Sequence, residues 1–166
     1  TLFESYIDQS AQRGRSVVVC AAGNEGSGAH HFQGRLTEGG AVDAEFTVST
    51  RREQVCLSVW MSFADEAAFE LVLPSGQSTG PLTEGARSLR FGAVRVSVLY
   101  GVPTHYTATQ EALFLLSAPA GELDGLWKLR CYGRKVADGR FDVWLPRIEE
   151  VSDRTAFLQP EPDLTI

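Results

Sequence analysis

Residues 125–145 read GLWKLRCYGRKVADGRFDVWL and contain two apolar runs separated by a turn signal. In the first run Trp127, Leu129 and Cys131 recur at every second position, which places them on one face of a β-strand. The dipeptide Asp138-Gly139 before the second run is among the stronger sequence signals of a hairpin. This segment therefore predicts two consecutive antiparallel strands that share a buried face.

The same alternation of short strand-like runs and turns continues from residue 41 onward. Gly, Pro and Ser residues separate the runs, and Pro74-Ser75-Gly76 is a second clear turn. The predicted strands cover residues 41–50, 55–63, 69–73, 88–91, 94–99, 106–109, 112–117, 127–132 and 141–145. Short strands with this spacing predict a mainly β protein, an antiparallel β-sandwich of the jelly-roll type. Period-two placement predicts a core that contains Phe46, Val48, Leu57, Val59, Leu71, Leu115, Trp127, Leu129 and Val143.

The first part of the chain follows a different pattern. Phe3, Ile7 and Ala11 recur at four-residue spacing and Gly14 supplies a stop, so we predict an amphipathic helix over residues 2–13. Residues 16–22, SVVVCAA, form an apolar run without alternation, as in a strand that is buried on both faces of a parallel sheet. A helix that leads into such a strand is an α/β signature.

Composition and charge exclude several classes of partner. The chain has 166 residues, of which 43% are hydrophobic and 22% charged, as in an ordinary globular protein. Its formal net charge is −6 and no apolar run approaches the roughly 20 residues of a membrane helix, so we expect no nucleic acid and no membrane as partner. The chain begins at Thr1 inside a helix pattern, which we interpret as a piece of a longer protein. Its three cysteines lie in apolar runs, which indicates buried thiols rather than a disulfide framework.

Residues 17–26, VVVCAAGNEG, carry the most specific chemical signal of the chain. The apolar strand delivers Asn24 to a turn next to Gly23, where its amide can donate a hydrogen bond. A donor placed against the oxyanion of a tetrahedral intermediate is worth roughly 3–4 kcal/mol. The simpler interpretation is a strand-to-loop turn in which Asn24 tolerates a left-handed backbone and the glycines relieve crowding.

This motif, together with the helix before it, resembles the oxyanion-hole segment of the subtilisin-like serine proteases (subtilases). The resemblance implies a parent protease that hydrolyses peptide bonds with Asn24 as oxyanion donor. The catalytic Asp and His of that family precede the motif and the Ser follows it in a Gly-Thr-Ser context, and these motifs do not occur in this sequence. Residues 1–29 then belong to the subtilase domain, residues 30–147 form an inserted jelly-roll sandwich, and residues 148–166 return to the subtilase domain.

Two narrower resemblances concern the rest of the chain. Ala29-His30-His31 and the residues 153–160 look like the clostridial spore-germination subtilases, which carry a jelly roll before the nucleophile. That likeness implies a role in spore germination and a spore or extracytoplasmic location. The segments 73–78 and 125–130 are similar to the jelly-roll P domain of proprotein convertases, which supports the fold more than any activity.

Histidines and cysteines outside the motif have simpler interpretations than a metal site. Cys20, His30 and His31 are candidates for a metal site or a Cys–His dyad. However, a thiol in a buried apolar strand is usually inert, and the side chains of adjacent histidines point in different directions in an extended chain. His105 has no second ligand at a useful spacing and is expected at the surface. We therefore expect neither a metal nor a cofactor.

Acidic and aromatic residues receive equally simple interpretations. Asp43, Glu45, Asp65 and Glu66 lack the spacing of a calcium loop and are expected on a solvated face. Six aromatic residues could line a sugar-binding face, although alternation places most of them in the core. These aromatic residues are Trp60, Trp127, Trp144, Phe46, Phe69 and Phe141.

We interpret the chain as a non-catalytic inserted sandwich that braces a protease domain, restricts substrate access or docks a partner. Its expected partners are the rest of the parent protease domain, a protein substrate or partner, and a second copy that pairs with its exposed ends. One alternative is a free-standing β-sandwich that binds protein or carbohydrate. Another is a pseudoprotease regulator, because a subtilase can lose its triad and keep its fold. The residues on both sides of this segment in the gene distinguish the three.

Because the chain lacks the triad motifs, we expect it to have no peptidase activity by itself. The measurement is a general peptide-hydrolysis assay combined with a serine-directed covalent probe. Labelling of the 166-residue chain by the probe would show this prediction to be wrong.

Overall fold

The computed structural model describes residues 2–12, 14, 16–19, 28–101, 109–146, 152 and 154–161. In these residues one helix precedes two antiparallel sheets, so the predicted β-sandwich with a preceding helix is confirmed. The helix α1 spans Leu2–Gln12, and the strands are His31–Arg35 (β1), Ala41–Val48 (β2), Gln54–Ser62 (β3), Glu66–Val72 (β4), Gly85–Phe91 (β5), Val94–Tyr100 (β6), Thr109–Ser117 (β7), Gly125–Lys135 (β8), Arg140–Trp144 (β9) and Ala156–Phe157 (β10). No helix among the described residues has the length and apolarity needed to cross a membrane.

The strand order is that of a jelly roll with an added hairpin. One sheet has six strands in the order β1-β9-β3-β7-β6-β5, and the other has four in the order β10-β2-β8-β4. Strands β1 to β4 alternate between the sheets, and so do β7 to β9. Ser78 and Leu82 bridge to Val72 and Phe69 of β4, so this short segment takes the place beside β4. The hairpin β5-β6 then extends the six-stranded sheet beyond β7.

The core lies between the two sheets and takes every second residue of the central strands. Trp127 of β8 is fully buried, and its indole N–H donates to the carbonyl oxygen of Leu123 at 2.8 Å. This bond satisfies the single polar atom of the ring. At the edge strand β1, Gly34 pairs with Phe141, and a Cβ at Gly34 would overlap the Phe141 ring. The aromatic ring therefore requires glycine at this position.

Each predicted strand overlaps an observed one within the described residues, with ends that differ by up to three residues. The predicted break at residues 110–111 was wrong, because β7 is continuous over Thr109–Ser117. The predicted core residues are buried except Leu115, which is half-buried on the outer face of the six-stranded sheet. That prediction was wrong because the run 112–117 is apolar at nearly every position, so its period does not select a face. Residues 106–108 of one predicted strand lie outside the described residues.

Two edge strands, β1 and β10, were not predicted. β1 has only one large apolar residue, Phe32, that faces the core, and β10 is two residues long, so neither shows a period. Both lie at the same side of the sandwich, where the rings of Phe32 and Phe157 are 5.8 Å apart. These strands close the side of the core that the predicted strands leave open.

The segment before the sandwich differs from its prediction. Helix α1 ends at Gln12, and the N–H of Gly14 donates to the carbonyl of Ala11 at 3.0 Å, while residue 13 lies outside the described residues. Residues 16–19 form no strand, and the side chains of Val17 and Val19 are 90% and 88% exposed. The predicted buried strand over residues 16–22 is therefore not formed in its described part, because no neighbouring strand covers the valines. Residues 20–22 lie outside the described residues.

Asp65, which we expected on a solvated face, is 2% exposed. Its carboxylate accepts the backbone N–H groups of Ala137, Asp138 and Gly139 at 2.6, 2.9 and 2.9 Å. Gly139 has a φ of 80°, so a residue without a Cβ is favoured in this turn. The prediction for Asp65 was wrong because its partners lie more than seventy residues away along the chain.

Trp127→Ala should lower the free energy of unfolding by about 3–5 kcal/mol, because it removes a fully enclosed ring. Thermal or urea unfolding measures this loss. Leu126→Ala is the matched control, because the neighbouring Leu126 side chain is 49% exposed and should change stability little. Equal stability of the two variants would contradict the placement of Trp127.

Candidate functional site

The chain enters and leaves the sandwich at one place. We term residues 28–31 the incoming segment and residues 152 and 154–161 the outgoing segment. The N–H groups of Phe157 and Glu161 donate to the carbonyls of Ala29 and His31 at 2.9 and 3.0 Å. Between them, the carbonyl of His30 accepts the N–H of Leu145 from the end of β9 at 2.9 Å. The two segments thus run side by side, and three successive carbonyls of the incoming segment each accept a backbone hydrogen bond.

The outgoing segment is fixed to strand β2 by a hydroxyl and a ring. The hydroxyl of Thr155, a fully buried residue, donates to the carbonyl of Ser49 and accepts the N–H of the same residue, both at 3.0 Å. The ring of Phe157 lies between Phe32 and Phe46, at centroid distances of 5.8 and 5.7 Å. Phe157 is 3% exposed and belongs to the core, so the outgoing segment packs as part of the sandwich.

The incoming segment is fixed by His31, which is 5% exposed. Its imidazole stacks on Trp144 with ring centroids 4.0 Å apart and planes 11° from parallel. Its Nε2 lies 2.8 Å from the Oδ1 of Asp142, which also accepts the side-chain amide of Gln33 at 3.0 Å. These contacts join β1 to β9 on the outer face of the six-stranded sheet.

Neighbouring side chains stabilise the ionised form of Asp142. Burial raises its pKa, but the hydrogen bonds from Gln33 and His31 and the charge of Arg140, 3.5 Å away, outweigh burial and hold the pKa below its ordinary value. Asp142 is therefore ionised at neutral pH. The hydrogen bonds that Asp142 makes with His31 and Gln33 are consequently charge-assisted and stronger than hydrogen bonds between neutral groups.

The predicted oxyanion donor Asn24 lies outside the described residues, as do Cys20 and His105. Gly28, the first described residue after this gap, follows Asn24 by four positions. Ala29 next to it has a φ of 54° and is the one non-glycine residue with a positive φ in the described part of the chain. Such a conformation is unfavourable for a residue with a Cβ, and the surrounding hydrogen bonds hold it. The role of Asn24 stays a prediction.

Three of the four acidic residues named above, Asp43, Glu45 and Glu66, form ion pairs on the four-stranded sheet. The Asp43 carboxylate accepts two hydrogen bonds from the Arg130 guanidinium at 2.6 and 2.8 Å, and these bonds hold the pKa of Asp43 below its ordinary value. Lys128 lies 3.3 Å from Asp43 and 3.0 Å from Glu45, and Lys135 lies 3.8 Å from Glu66. The described residues contain no group of three or more His, Cys, Asp and Glu side chains that could hold a metal ion.

The aromatic residues divide between the core and one outer face. Four of the six named above, Trp127, Phe46, Phe69 and Phe141, are in the core, as expected. Trp60 is half-buried and Trp144 is 38% exposed, both on the outer face of the six-stranded sheet. The buried Cys131 has its pKa raised by burial and by the charge of Asp43, so its thiol stays protonated and unreactive.

Sequence reasoning missed the residues that join the incoming and outgoing segments. Thr155 and its partner Ser49 are separated by 106 residues, and His31 and Asp142 by 111 residues. Local periodicity carries no information on such pairs. The one available signal was Phe157 in a tail that otherwise lacks a pattern, since an isolated aromatic residue is typical of a core contact.

No model of a known protein family matches the sequence, and no curated protein matches it. Among solved structures the chain is similar to the CspB protease of Clostridium perfringens, with 28% sequence identity and a TM-score of 0.79. The match covers 97% of this chain and 34% of that protease. The chain therefore spans about one third of the length of the protease that it resembles.

Thr155→Val should lower the free energy of unfolding by about 1–3 kcal/mol, because it leaves the buried N–H of Ser49 without its acceptor. Hydrogen exchange at the amides of Phe157 and Glu161 should become faster, while exchange in β8 should change only through the global loss of stability. Thr83→Val, at an exposed position, is the control and should leave both properties unchanged. Unaltered exchange at Phe157 would contradict the proposed anchoring.

Proposed function

We propose that the chain is the non-catalytic inserted β-sandwich of a subtilisin-like serine protease, and that it braces the loop carrying the oxyanion donor Asn24. The observation that carries the proposal is the pairing of the incoming segment with the outgoing segment, at 2.9 Å between Ala29 and Phe157. A domain whose two connections lie side by side can interrupt a host domain without separating the host's own chain ends.

The structural similarity to a protease supports this proposal independently. The match covers 97% of this chain and 34% of the CspB protease, and the chain carries the subtilase-like motif at residues 17–26. In this proposal the catalytic Asp, His and Ser come from parts of the protease outside this chain. The chain contributes the oxyanion donor and its support, and no triad member.

The bracing role follows from where the incoming segment is held. Asn24 is five residues from Ala29, and each residue of an extended chain spans at most roughly 3.6 Å, so anchoring Ala29 limits the positions that Asn24 can reach. A preorganised donor stabilises the oxyanion without a reorganisation cost during the reaction. The exposed side chains of Val17 and Val19 are apolar surface that the host sheet would cover.

The proposal is tested in the full-length protein that contains this chain. Asn24→Ala should reduce kcat by roughly 10²–10³-fold with little change in KM, because the donor acts on the transition state. Replacing residues 30–156 by a short Gly-Ser linker should lower the Tm of the protease domain and kcat together, since Ala29 and Phe157 remain close enough to be joined.

Thr83→Val in the same protein is the control for both measurements and should leave kcat and Tm unchanged. An unaltered kcat for Asn24→Ala would remove the oxyanion role. An unaltered Tm and kcat after removal of the sandwich would remove the bracing role. A full-length protein that a serine-directed probe does not label would instead favour the pseudoprotease regulator.

A further inference from the structure

Four arginines lie around one end of the outer face of the six-stranded sheet, and we term them the basic rim. Arg51 and Arg52 lie in the loop between β2 and β3, Arg90 lies near the end of β5, and Arg95 lies near the start of β6. All four side chains are exposed. Among the ion pairs of the described residues, none involves a member of the basic rim.

The register of the sheet brings these arginines to the same face and the same end. Gln54, Ser117, Arg95 and Arg90 form one row across β3, β7, β6 and β5. Both neighbours of Arg95 in β6 are buried, so Arg95 points to the outer face. With neighbouring strands about 4.8 Å apart, the row from Gln54 to Arg90 is about 15 Å long. Arg51 and Arg52 lie three and two residues before Gln54, and they line one groove together with that residue.

The basic rim opposes the stability of the domain that carries it. Arg90 and Arg95 are directly opposite each other in the β5-β6 hairpin, and like charges at such positions repel. The nearest compensation is a hydrogen bond of 3.3 Å from the Arg90 side chain to the carbonyl of Gly92. The outer face of the other sheet pairs its charges, as Arg130 does with Asp43. Glu53 follows Arg52 in the chain, but among the described residues no carboxylate forms an ion pair with the basic rim. The four arginines therefore leave a place for an external anion.

A groove lies beside Arg51 and Arg52 and brings two apolar side chains close to these arginines. It has a volume of about 790 Å³ and is lined by Arg51, Arg52, Glu53, Gln54, Cys56, Leu115 and Pro146. Leu115 and Pro146 form apolar parts of the lining, and Glu53 is its single carboxylate. Apolar side chains beside exposed arginines suit a peptide that has both acidic and apolar side chains, whereas a free anion makes no use of Leu115 and Pro146.

We propose that the basic rim and this groove bind an extended acidic segment of another protein, with an apolar side chain on Leu115 and carboxylates on the arginines. At about 3.3 Å per residue, five or six extended residues cover the length of the row. The net charge of −6 repels the phosphates of a nucleic acid, so a short acidic segment of a protein is the better fit to four arginines. This partner-docking surface goes beyond the bracing role proposed above, and its test uses the isolated chain so that the two proposals fail separately.

The test measures fluorescence anisotropy of a labelled hexapeptide that contains four acidic and two leucine residues. Its twin peptide has Asn and Gln in place of the acidic residues. The acidic peptide should bind at least about tenfold more tightly than its twin, and added salt should weaken its binding because the contacts are exposed. The double variant Arg90→Gln, Arg95→Gln should weaken binding of the acidic peptide about tenfold or more.

Two controls separate binding from folding. The Tm of the Arg90→Gln, Arg95→Gln variant should equal or exceed that of the unaltered chain, because the substitutions remove a repulsion. Arg134→Gln, at an exposed arginine of β8 in the other sheet, should leave peptide binding unchanged. Arg51→Gln with Arg52→Gln provides an independent variant at the other end of the surface.

Equal affinity for the two peptides, no binding of either, or full binding by both double variants would each overturn the proposal. Salt-sensitive self-association that the same substitutions abolish, without peptide binding, would overturn it in favour of an interface between two copies. None of these results bears on the bracing role, because the host protease is absent from the assay.

Discussion

Backbone hydrogen bonds between residues 29–31 and residues 157–161 hold both connections of the sandwich together. They position β1 at the edge of one sheet and β10 at the edge of the other, and the rings of Phe32 and Phe157 then meet between them. Without this contact the core would be open along one side. The His31–Asp142 contact and the Thr155–Ser49 pair are further attachments of the same two segments. The edge strands, the closure of the core and the proximity of the incoming and outgoing segments therefore depend on a single set of contacts.

The sequence was sufficient to predict the central strands and most of the core. Trp127, Leu129 and Cys131 alternate between clear turns, and the structure buries all three. Periodicity was insufficient where a run is apolar throughout, as at Leu115, and where a strand has few residues, as at β10. Asp65 and Thr155 were unpredictable for a different reason, since their partners are distant in the chain and no local pattern encodes them. The predicted oxyanion donor depends on a motif outside the described residues.

The two outer faces of the sandwich distribute charge differently. The four-stranded sheet pairs Asp43 with Arg130 and Lys128 with Glu45, and Glu70 accepts hydrogen bonds from Tyr132 and Ser78. That face is internally satisfied and suits contact with water. The six-stranded sheet has half-buried or exposed Trp60, Trp144 and Leu99, and its basic rim forms no ion pair with the described residues. Its composition is closer to that of an interface, where aromatic residues and arginine are enriched.

The direction of the incoming and outgoing segments has a mechanical consequence. Residue numbers rise together along the contact, from Ala29 beside Phe157 to His31 beside Glu161, so the two segments run in the same direction. A force that pulls the two connections apart therefore acts along the segments and loads their hydrogen bonds in shear, all at once. If the two segments ran in opposite directions, the same force would break their hydrogen bonds one after another. The contact consequently resists best a force that is directed along the two segments.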